Sequence, residues 1–188
     1  YGISVSKIYS KERNDILRNN PEPFFMLNLP LPEKAKRSTT VSLIECLEEY
    51  TKKEEMSGDN GIKNEKTGKK EDAFKEILFF TLPQILMIDI KRFNSSFQKS
   101  HIVVDFPLKN LDMSKYVIGY NSNNYIYDLY GVCNHSGSTM GGHYTSCVKV
   151  KNGDWYDFND THVTKLKDPN KLIGPQAYCL FYRKRKIH

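Results

Sequence analysis

The second half of the chain alternates apolar and polar residues over several short runs, which is the pattern of half-buried β-strands. An apolar run over residues 85–90 is predicted to be a strand that follows the segment 73–80, and another strand is predicted over residues 102–106. Four further strands are predicted, at residues 125–133, 143–150, 154–158 and 177–182. The pattern therefore predicts an α+β protein that is strongly β in its second half.

The first half of the chain is predicted to contain two strands separated by a break. Residues 1–9 alternate weakly, and residues 24–29 form an apolar run that ends at Pro30. Because proline lacks a backbone N–H and fixes its own φ, the segment Pro21-Glu22-Pro23 is expected to interrupt the chain between them.

One helix and two irregular segments are predicted around these strands. Apolar side chains recur at helical spacing from Leu43 to Leu47, and the polar run Ser38-Thr39-Thr40 is expected to cap this helix. The polar segment over residues 52–70 is expected to project from the body or to be mobile. The Ser- and Gly-rich stretch over residues 134–142 is expected to be a loop.

Length, composition and charge narrow the class of protein. At 188 residues, with 12 Tyr and 10 Phe, the chain can bury one core, which excludes disorder throughout. The apolar stretch over residues 77–90 is interrupted by Pro83 and Asp89, whereas a bilayer span needs about 20 apolar residues, so no membrane partner is expected. The first residue is Tyr1 rather than Met, so we expect a fragment or a processed chain.

The formal net charge is +6, and part of the excess lies in the run Arg183-Lys184-Arg185-Lys186, which is expected to be a solvated tail. The other basic residues alternate with acids, so no nucleic-acid partner is expected.

The four cysteines are scattered along the chain, at Cys46, Cys133, Cys147 and Cys179. None forms a C-x-x-C pair, the usual spacing of a structural zinc site, so no metal or other cofactor is expected. Widely spaced thiols suit a reducing compartment, which predicts a cytoplasmic or nuclear protein. None of these cysteines has the sequence context expected of a nucleophile.

A candidate catalytic histidine follows two glycines in the segment Gly141-Gly142-His143. An imidazole can take the proton of a cysteine thiol and later return it to a leaving amine. A third group must orient that ring, and Asn159 and Asp160 both lie within reach after a short hairpin. The chain therefore supplies two members of a Cys-His-Asn type of apparatus and lacks the nucleophile.

The register of the hairpin decides between the two candidates for the third group. A two-residue turn at Asn152-Gly153 would put Asp160 on the same face as His143. A three-residue turn, with Gly153 left-handed in a bulge, would put Asn159 on that face instead.

The apolar pattern favours the three-residue turn. It sets two cross-strand pairs on one buried face, Val148 with Tyr156 and Ser146 with Phe158. An amide at Asn159 can accept a hydrogen bond from the imidazole N–H and fix its tautomer. Asp160 is kept as a supporting group.

Several segments resemble, in order, blocks of the ubiquitin-specific proteases, which are papain-like deubiquitinases. The sequence LPQILMIDIKRF at residues 82–93 is similar to their LPPVLIIHLKRF strand. Residues 127–137 and 141–145 resemble their histidine box. The other matching segments are residues 22–24, 27–30, 42–47, 155–160 and 177–182.

The resemblance implies the β-rich fingers and palm of a papain-like cysteine protease fold. It assigns residues 1–80 to a fingers-like part and residues 81–188 to the palm with the histidine box. The family's cysteine box is absent, so the chain is expected to be one partial catalytic domain, inactive alone. The zinc knuckles of the fingers are also absent, since residues 7–10 and 64–67 contain no cysteine.

The resemblance implies a deubiquitinating thiol protease that cleaves the isopeptide or peptide bond after the C-terminal Gly of ubiquitin. Its partners would be ubiquitin and ubiquitinated proteins. The catalytic residues carried over are His143, Asn159 and Asp160, and the channel for the ubiquitin tail is assigned to Gly141, Gly142, Tyr144 and His135. Residues 94–101 and 136–140 resemble the loops over that channel. The alternative is a non-catalytic ubiquitin-binding pseudoenzyme module.

Overall fold

The structure, a computed structural model, describes residues 1–186, so the last two residues of the segment 81–188 lie outside the described residues. The first eight strands are β1 (Gly2–Ser10), β2 (Ile16–Phe24), β3 (Met26–Pro30), β4 (Thr40–Ser42), β5 (Glu54–Met56), β6 (Ile62–Lys63), β7 (Lys70–Glu71) and β8 (Ala73–Thr81). The later strands are β9 (Ile85–Lys91), β10 (Val103–Asp105), β11 (Leu111–Asp112), β12 (Ile126–Ser138), β13 (Gly141–Lys149), β14 (Trp155–Asn159), β15 (His162–Leu166) and β16 (Ala177–Lys184). The described helices are α1 (Leu43–Thr51) and the 3-10 turns at Glu33–Lys36, Gly58–Asn60, Ser114–Tyr116, Ser122–Asn124 and Pro169–Leu172. The predicted β-rich α+β class is confirmed.

Four strands form a small sheet in the order β2-β1-β8-β5. Strand β2 lies at its edge and runs through Pro21 and Pro23, which pair with Val5 and Ile3 of β1. The predicted break at Pro21-Glu22-Pro23 is therefore wrong. Residues two apart in a strand have the same orientation, so the backbone nitrogens of both prolines can lie on the open edge of the sheet. No hydrogen bond between strands is lost there.

Eight strands form the larger sheet, in the order β15-β14-β13-β12-β16-β9-β3, with β11 paired to β12. Strand β9 alternates between exposed and buried residues, and its Leu86, Ile88 and Ile90 are fully buried. They belong to the same core as Leu43 and Leu47 of α1, so the core lies between this sheet and the helix layer. The predicted division at residue 80 stays a prediction. Strand β3 lies in the first part and pairs with β9 of the second.

The helix is confirmed, but its predicted cap at Ser38-Thr39-Thr40 is wrong. Ser42 caps α1, because its Oγ accepts from the N–H of Glu45 at 3.1 Å while the Glu45 carboxylate accepts from the N–H of Ser42 at 2.8 Å. A capping box needs an acidic residue three positions after the cap, which only Ser42 has here. Among residues 1–186, no helix has both the length and the apolar character that crossing a bilayer requires.

Two segments predicted as irregular are paired strands. The predicted loop over residues 134–142 is instead a ribbon of β12 and β13, paired from Asn134 with Thr145 to Ser138 with Gly141. Backbone hydrogen bonds between the two strands stabilise this ribbon. Its Ser- and Gly-rich sequence therefore does not need the apolar alternation by which a strand is predicted. In the polar segment over residues 52–70, β5 extends the small sheet and β6 pairs with β7, so the prediction of a projecting or mobile segment is wrong for β5.

Candidate active site

The hairpin of β13 and β14 has the register that the apolar pattern favours. Ser146 pairs with Phe158 and Val148 pairs with Tyr156, as the three-residue turn requires. Gly153 has a φ of +93°, which a bulged turn needs and which residues with a Cβ adopt only under strain. Because side chains alternate between the faces of a strand, this register sets Asn159 on the same face as His143.

The structure brings His143 and Asn159 together. The Nε2 atom of His143 lies 2.7 Å from Oδ1 of Asn159. Asp160 lies farther away, with its Oδ2 at 3.9 Å from the same nitrogen, and its backbone is left-handed with a φ of 52° in the turn between β14 and β15. Of the two candidates for the third group, Asn159 therefore makes the hydrogen bond.

The imidazole of His143 is open to solvent. Its side chain is 51% exposed, and within residues 1–186 no hydrogen-bond partner reaches its Nδ1 atom. The ring is thus held at one nitrogen by Asn159 and can meet a reacting group at the other. A ring turned to the buried face of the ribbon would have excluded this chemistry.

His135 and Tyr144 form a second group on the opposite face of the ribbon. They are directly paired across β12 and β13, with ring centroids 4.6 Å apart. His135 is 3% exposed, whereas Tyr144 is 56% exposed. Burial, with a smaller contribution from the nearby Lys99 ammonium, lowers the pKa of His135, so its ring is neutral at pH 7. His135 is therefore a buried structural partner of the strand that carries His143.

The two glycines before His143 differ in their surroundings. A Cβ added at Gly141 would meet no atom within 4 Å, so the space beside it is open. A Cβ added at Gly142 would lie 2.3 Å from Nε2 of His135 and 2.5 Å from the backbone oxygen of Ser136. The resemblance assigns both glycines to the channel for the ubiquitin tail, but at Gly142 the contact with His135 already requires glycine.

Three residues around His135 were not predicted from the sequence to belong to the site. Phe93 and Tyr178 have ring centroids 5.9 and 5.6 Å from that of His135. Nζ of Lys99 lies 3.0 Å from Nδ1 of His135 and also donates to its backbone oxygen. Lys99 lies in a polar loop, 36 residues before His135 in the sequence, so no local spacing links the two.

None of the four cysteines is chemically suited to be the nucleophile. Burial raises the pKa of the Cys46 thiol to about 11 and that of Cys179 to about 12. Burial and the neighbouring Asp157 carboxylate raise the pKa of Cys147 to about 12. Burial also raises the pKa of Cys133. A thiol of this kind carries almost no thiolate at pH 7.

The turns where the family carries zinc knuckles do not fit a zinc ion in this chain. Glu71 is the hub there, with its carboxylate accepting from Arg13 at 2.8 Å, from Asn64 at 2.5 Å and from Ser10 at 3.2 Å. Arginine, asparagine and serine side chains are not ligands of structural zinc sites. No group of three or more His, Cys, Asp or Glu side chains in residues 1–186 is arranged to hold a metal.

Comparison with known proteins gives one consistent family. Residues 14–182 match the family described as ubiquitin carboxyl-terminal hydrolase. The chain is 35% identical over 165 residues to ubiquitin carboxyl-terminal hydrolase 2 of Gallus gallus, covering 86% of this chain and 45% of that protein. It is 39% identical over 168 residues to ubiquitin carboxyl-terminal hydrolase 8 of Arabidopsis thaliana, covering 82% of this chain and 19% of that protein. The chain thus spans less than half the length of these relatives.

Solved structures agree with the sequence matches. The whole chain superimposes on 41% of a chain in the SAGA DUB module of Ubp8, Sgf11, Sus1 and Sgf73 bound to monoubiquitin, with a TM-score of 0.83 and 28% identity. It also superimposes on 42% of a chain in the same module bound to ubiquitin aldehyde, with a TM-score of 0.82 and 28% identity. The chain therefore belongs to the ubiquitin carboxyl-terminal hydrolase family, in its ubiquitin-specific protease branch.

Proposed function

We propose that the protein containing this chain is a cysteine-type deubiquitinase, which hydrolyses the isopeptide or peptide bond after the C-terminal Gly of ubiquitin. The observation that carries the proposal is the hydrogen bond of 2.7 Å between the exposed His143 ring and Asn159. The relatives named ubiquitin carboxyl-terminal hydrolase support it, as do the similar structures that hold monoubiquitin or ubiquitin aldehyde. Ubiquitin and ubiquitinated proteins are the proposed partners.

In this proposal His143 is the general base and acid. An amide oxygen can only accept a hydrogen bond, so the Nε2 atom facing Asn159 carries a proton and Nδ1 keeps its lone pair. Nδ1 takes the proton of a cysteine thiol, and the thiolate attacks the carbonyl carbon of the ubiquitin C-terminal glycine. The imidazolium then returns the proton to the leaving amine. Water hydrolyses the remaining thioester, which frees the ubiquitin carboxylate and restores the thiol.

The other predicted site residues take supporting roles. Asp160 would favour the imidazolium by its charge from 3.9 Å, without holding the neutral ring. Gly141, Gly142 and Tyr144 would form one wall of the channel for the Gly-Gly tail of ubiquitin, and the buried His135 would support that wall from behind. The open space beside Gly141 supports this role, since a tail without side chains can approach the backbone there.

The nucleophile is proposed to come from a part of the parent protein outside these 188 residues. The raised thiol pKa values of the four cysteines support this. The same four cysteines are all free, which suits a reducing compartment, and we propose the cytoplasm or the nucleus.

The test is hydrolysis of a ubiquitin C-terminal amide by the full-length protein and by three variants. We expect His143→Ala to lower kcat by about 10²–10⁴-fold, the usual contribution of general acid–base catalysis, and Asn159→Ala to lower it by at least about tenfold. Asp160→Ala should stay within about threefold, because it removes only a solvent-screened charge. A larger loss at Asp160 than at Asn159 would contradict the assigned orienting group.

The same measurement separates the enzyme from the non-catalytic alternative. A full-length protein that binds ubiquitin but releases no amine would be a pseudoenzyme module, and the proposed activity would be lost. Ubiquitin binding should persist in His143→Ala, because this change removes the base and leaves the surrounding ribbon intact.

A further inference from the structure

The side chain of Lys99 connects the loop over residues 94–100 to the ribbon of β12 and β13. The Lys99 ammonium donates to Nδ1 of His135 at 3.0 Å and also to the backbone oxygen of His135. Next to this contact, the fully buried Arg92 fixes the loop exit by donating to the backbone oxygens of Ile102 at 2.7 Å and Ser100 at 3.3 Å. Lys99 therefore connects the loop to the ribbon through His135.

The ring that Lys99 holds lies directly beneath the strand segment of His143. The backbone of Gly142 passes so close to the His135 ring that a Cβ would lie 2.3 Å from Nε2. On the other side of His143, the Tyr144 ring packs against His135 with centroids 4.6 Å apart. Both chain neighbours of His143 thus rest on the imidazole of His135.

The charged and titratable groups around His135 favour a neutral ring. Burial, and then the Lys99 ammonium, lower the pKa of His135, while burial and then the Arg92 charge lower the pKa of Lys99. The phenols of Tyr144 and Tyr178 face the ring from β13 and β16, and burial raises the pKa of Tyr178, so that phenol stays neutral. A neutral ring can accept from Lys99 at Nδ1, whereas a protonated ring cannot and would repel the ammonium.

We propose that Lys99 is a positioning residue for the proposed hydrolysis, acting through His135 to seat the Gly142–Tyr144 segment that carries the catalytic base. Among the hydrogen bonds of residues 1–186, those of the Lys99 side chain go to His135. Its contribution depends on His135 being neutral, so it is present at neutral pH and is lost when the ring gains a proton. The expected effect of Lys99 on catalysis rests on the proposed function. The expected effect of Lys99 on the ribbon itself does not depend on that function.

The experiment compares the full-length protein with Lys99→Met at several pH values, using kcat/KM for a ubiquitin C-terminal amide. Near pH 7.5 we expect the wild type to exceed Lys99→Met about tenfold, the scale of one hydrogen bond from a charged donor. Because the pKa of His135 is lowered from the ordinary value of about 6.5, the ratio should still be high at pH 6.5 and should approach one only at lower pH, where the wild type loses the same contact. Taking the ratio removes the pH effects that the two proteins share.

Two control variants accompany the measurement. Lys109→Met removes an exposed lysine of the same charge and should leave the ratio near one throughout. Lys99→Arg keeps a cationic donor and should recover part of the lost rate. A constant ratio at every pH would overturn the positioning role, since a general loss of stability does not follow the titration of one ring.

A second arm is independent of activity. Amide hydrogen exchange of the full-length protein should speed up in residues 94–99 and 135–144 on Lys99→Met and stay unchanged on Lys109→Met. Unchanged exchange in both segments would overturn the inference even if the enzyme is active. If the full-length protein hydrolyses nothing, the proposed function fails, and the exchange measurement still decides the role of Lys99.

Discussion

A neutral amide beside the proposed catalytic imidazole suits a thiol better than it would suit a hydroxyl. An ordinary cysteine thiol has a pKa of about 8.5, so its proton could move to His143 without the full charge of a carboxylate partner. In the proposed mechanism Asn159, at 2.7 Å, fixes the tautomer and the ring orientation, and Asp160 adds a charge at 3.9 Å from the same nitrogen. Orientation and charge are thus divided between two neighbouring residues.

The two glycines before His143 make a matched pair of substitutions. Gly142→Ala should lower the melting temperature clearly, because its Cβ would meet the His135 ring and overpacking of this kind costs about 1–3 kcal/mol. Gly141→Ala should change stability by less than about 0.5 kcal/mol, since its Cβ would enter open space.

For catalysis, Gly141→Ala is the informative substitution of the two. Gly141→Ala should keep its fold and raise KM for a ubiquitin amide, because a methyl group would enter the proposed tail channel. Thermal unfolding together with steady-state kinetics makes the test. A stable Gly141→Ala variant with unchanged KM would remove Gly141 from the channel.

Local residue chemistry could be predicted from the sequence and distant contacts could not. His143, Asn159 and the Gly153 bulge lie within one hairpin, where the apolar pattern favours the register that the structure has. Lys99 and His135 meet only because the sheet brings a loop next to a strand 36 residues away in the sequence. No periodicity of the chain encodes that meeting.

At the scale of elements, the wrong predictions concern strands that are formed by backbone pairing with a neighbouring strand and that lack a pattern of alternating apolar side chains. Strand β2 accepts Pro21 and Pro23 because it lies at a sheet edge, a position that the sequence does not reveal. The β12–β13 ribbon extends through a Ser- and Gly-rich stretch because its partner strand is present. Strand β15 was not predicted, since four of its five residues are exposed and it lacks apolar alternation.

A polar network around Glu71 connects the turn after β1 to the turn between β6 and β7. Glu71 of β7 joins the turn of Arg13 to the turn of Asn64, and Asn64 also accepts from the N–H of Lys66 at 2.8 Å. Ser10 and Asn64 are both buried. Chelators should therefore leave the stability of these turns unchanged.

We predict that Glu71→Gln lowers the melting temperature at pH 7, because it removes the charge that pairs with Arg13. Burial alone would raise the pKa of Glu71, but the hydrogen bonds from Asn64 and Arg13 together lower it. A lowered folded-state pKa gives stability that is present above the unfolded-state pKa and is lost as the pH falls through the folded-state value. The difference between wild type and Glu71→Gln should therefore shrink below about pH 4.3, the ordinary carboxyl pKa.

A matched control is available in the turn between β6 and β7. Glu65→Gln removes an exposed carboxylate that pairs with Arg18 at 3.3 Å, and it should change the melting temperature little at any pH. Equal effects of Glu65→Gln and Glu71→Gln would show that the network is ordinary surface charge.

At the scale of the whole molecule, we propose that the chain forms one side of a catalytic cleft. The proposed base, His143, and its partner Asn159 lie exposed on the large sheet, while burial raises the thiol pKa values of all four cysteines. We therefore propose that the base lies in this chain and that the nucleophile lies in another part of the parent protein.

The most direct test of this claim is to find which cysteine of the full-length protein reacts with ubiquitin carrying a C-terminal electrophile. After labelling, digestion and mass spectrometry identify the modified residue. The account predicts one modified cysteine outside Tyr1–His188, and slower labelling in His143→Ala. A label on Cys46, Cys133, Cys147 or Cys179, or no label at all, would contradict it.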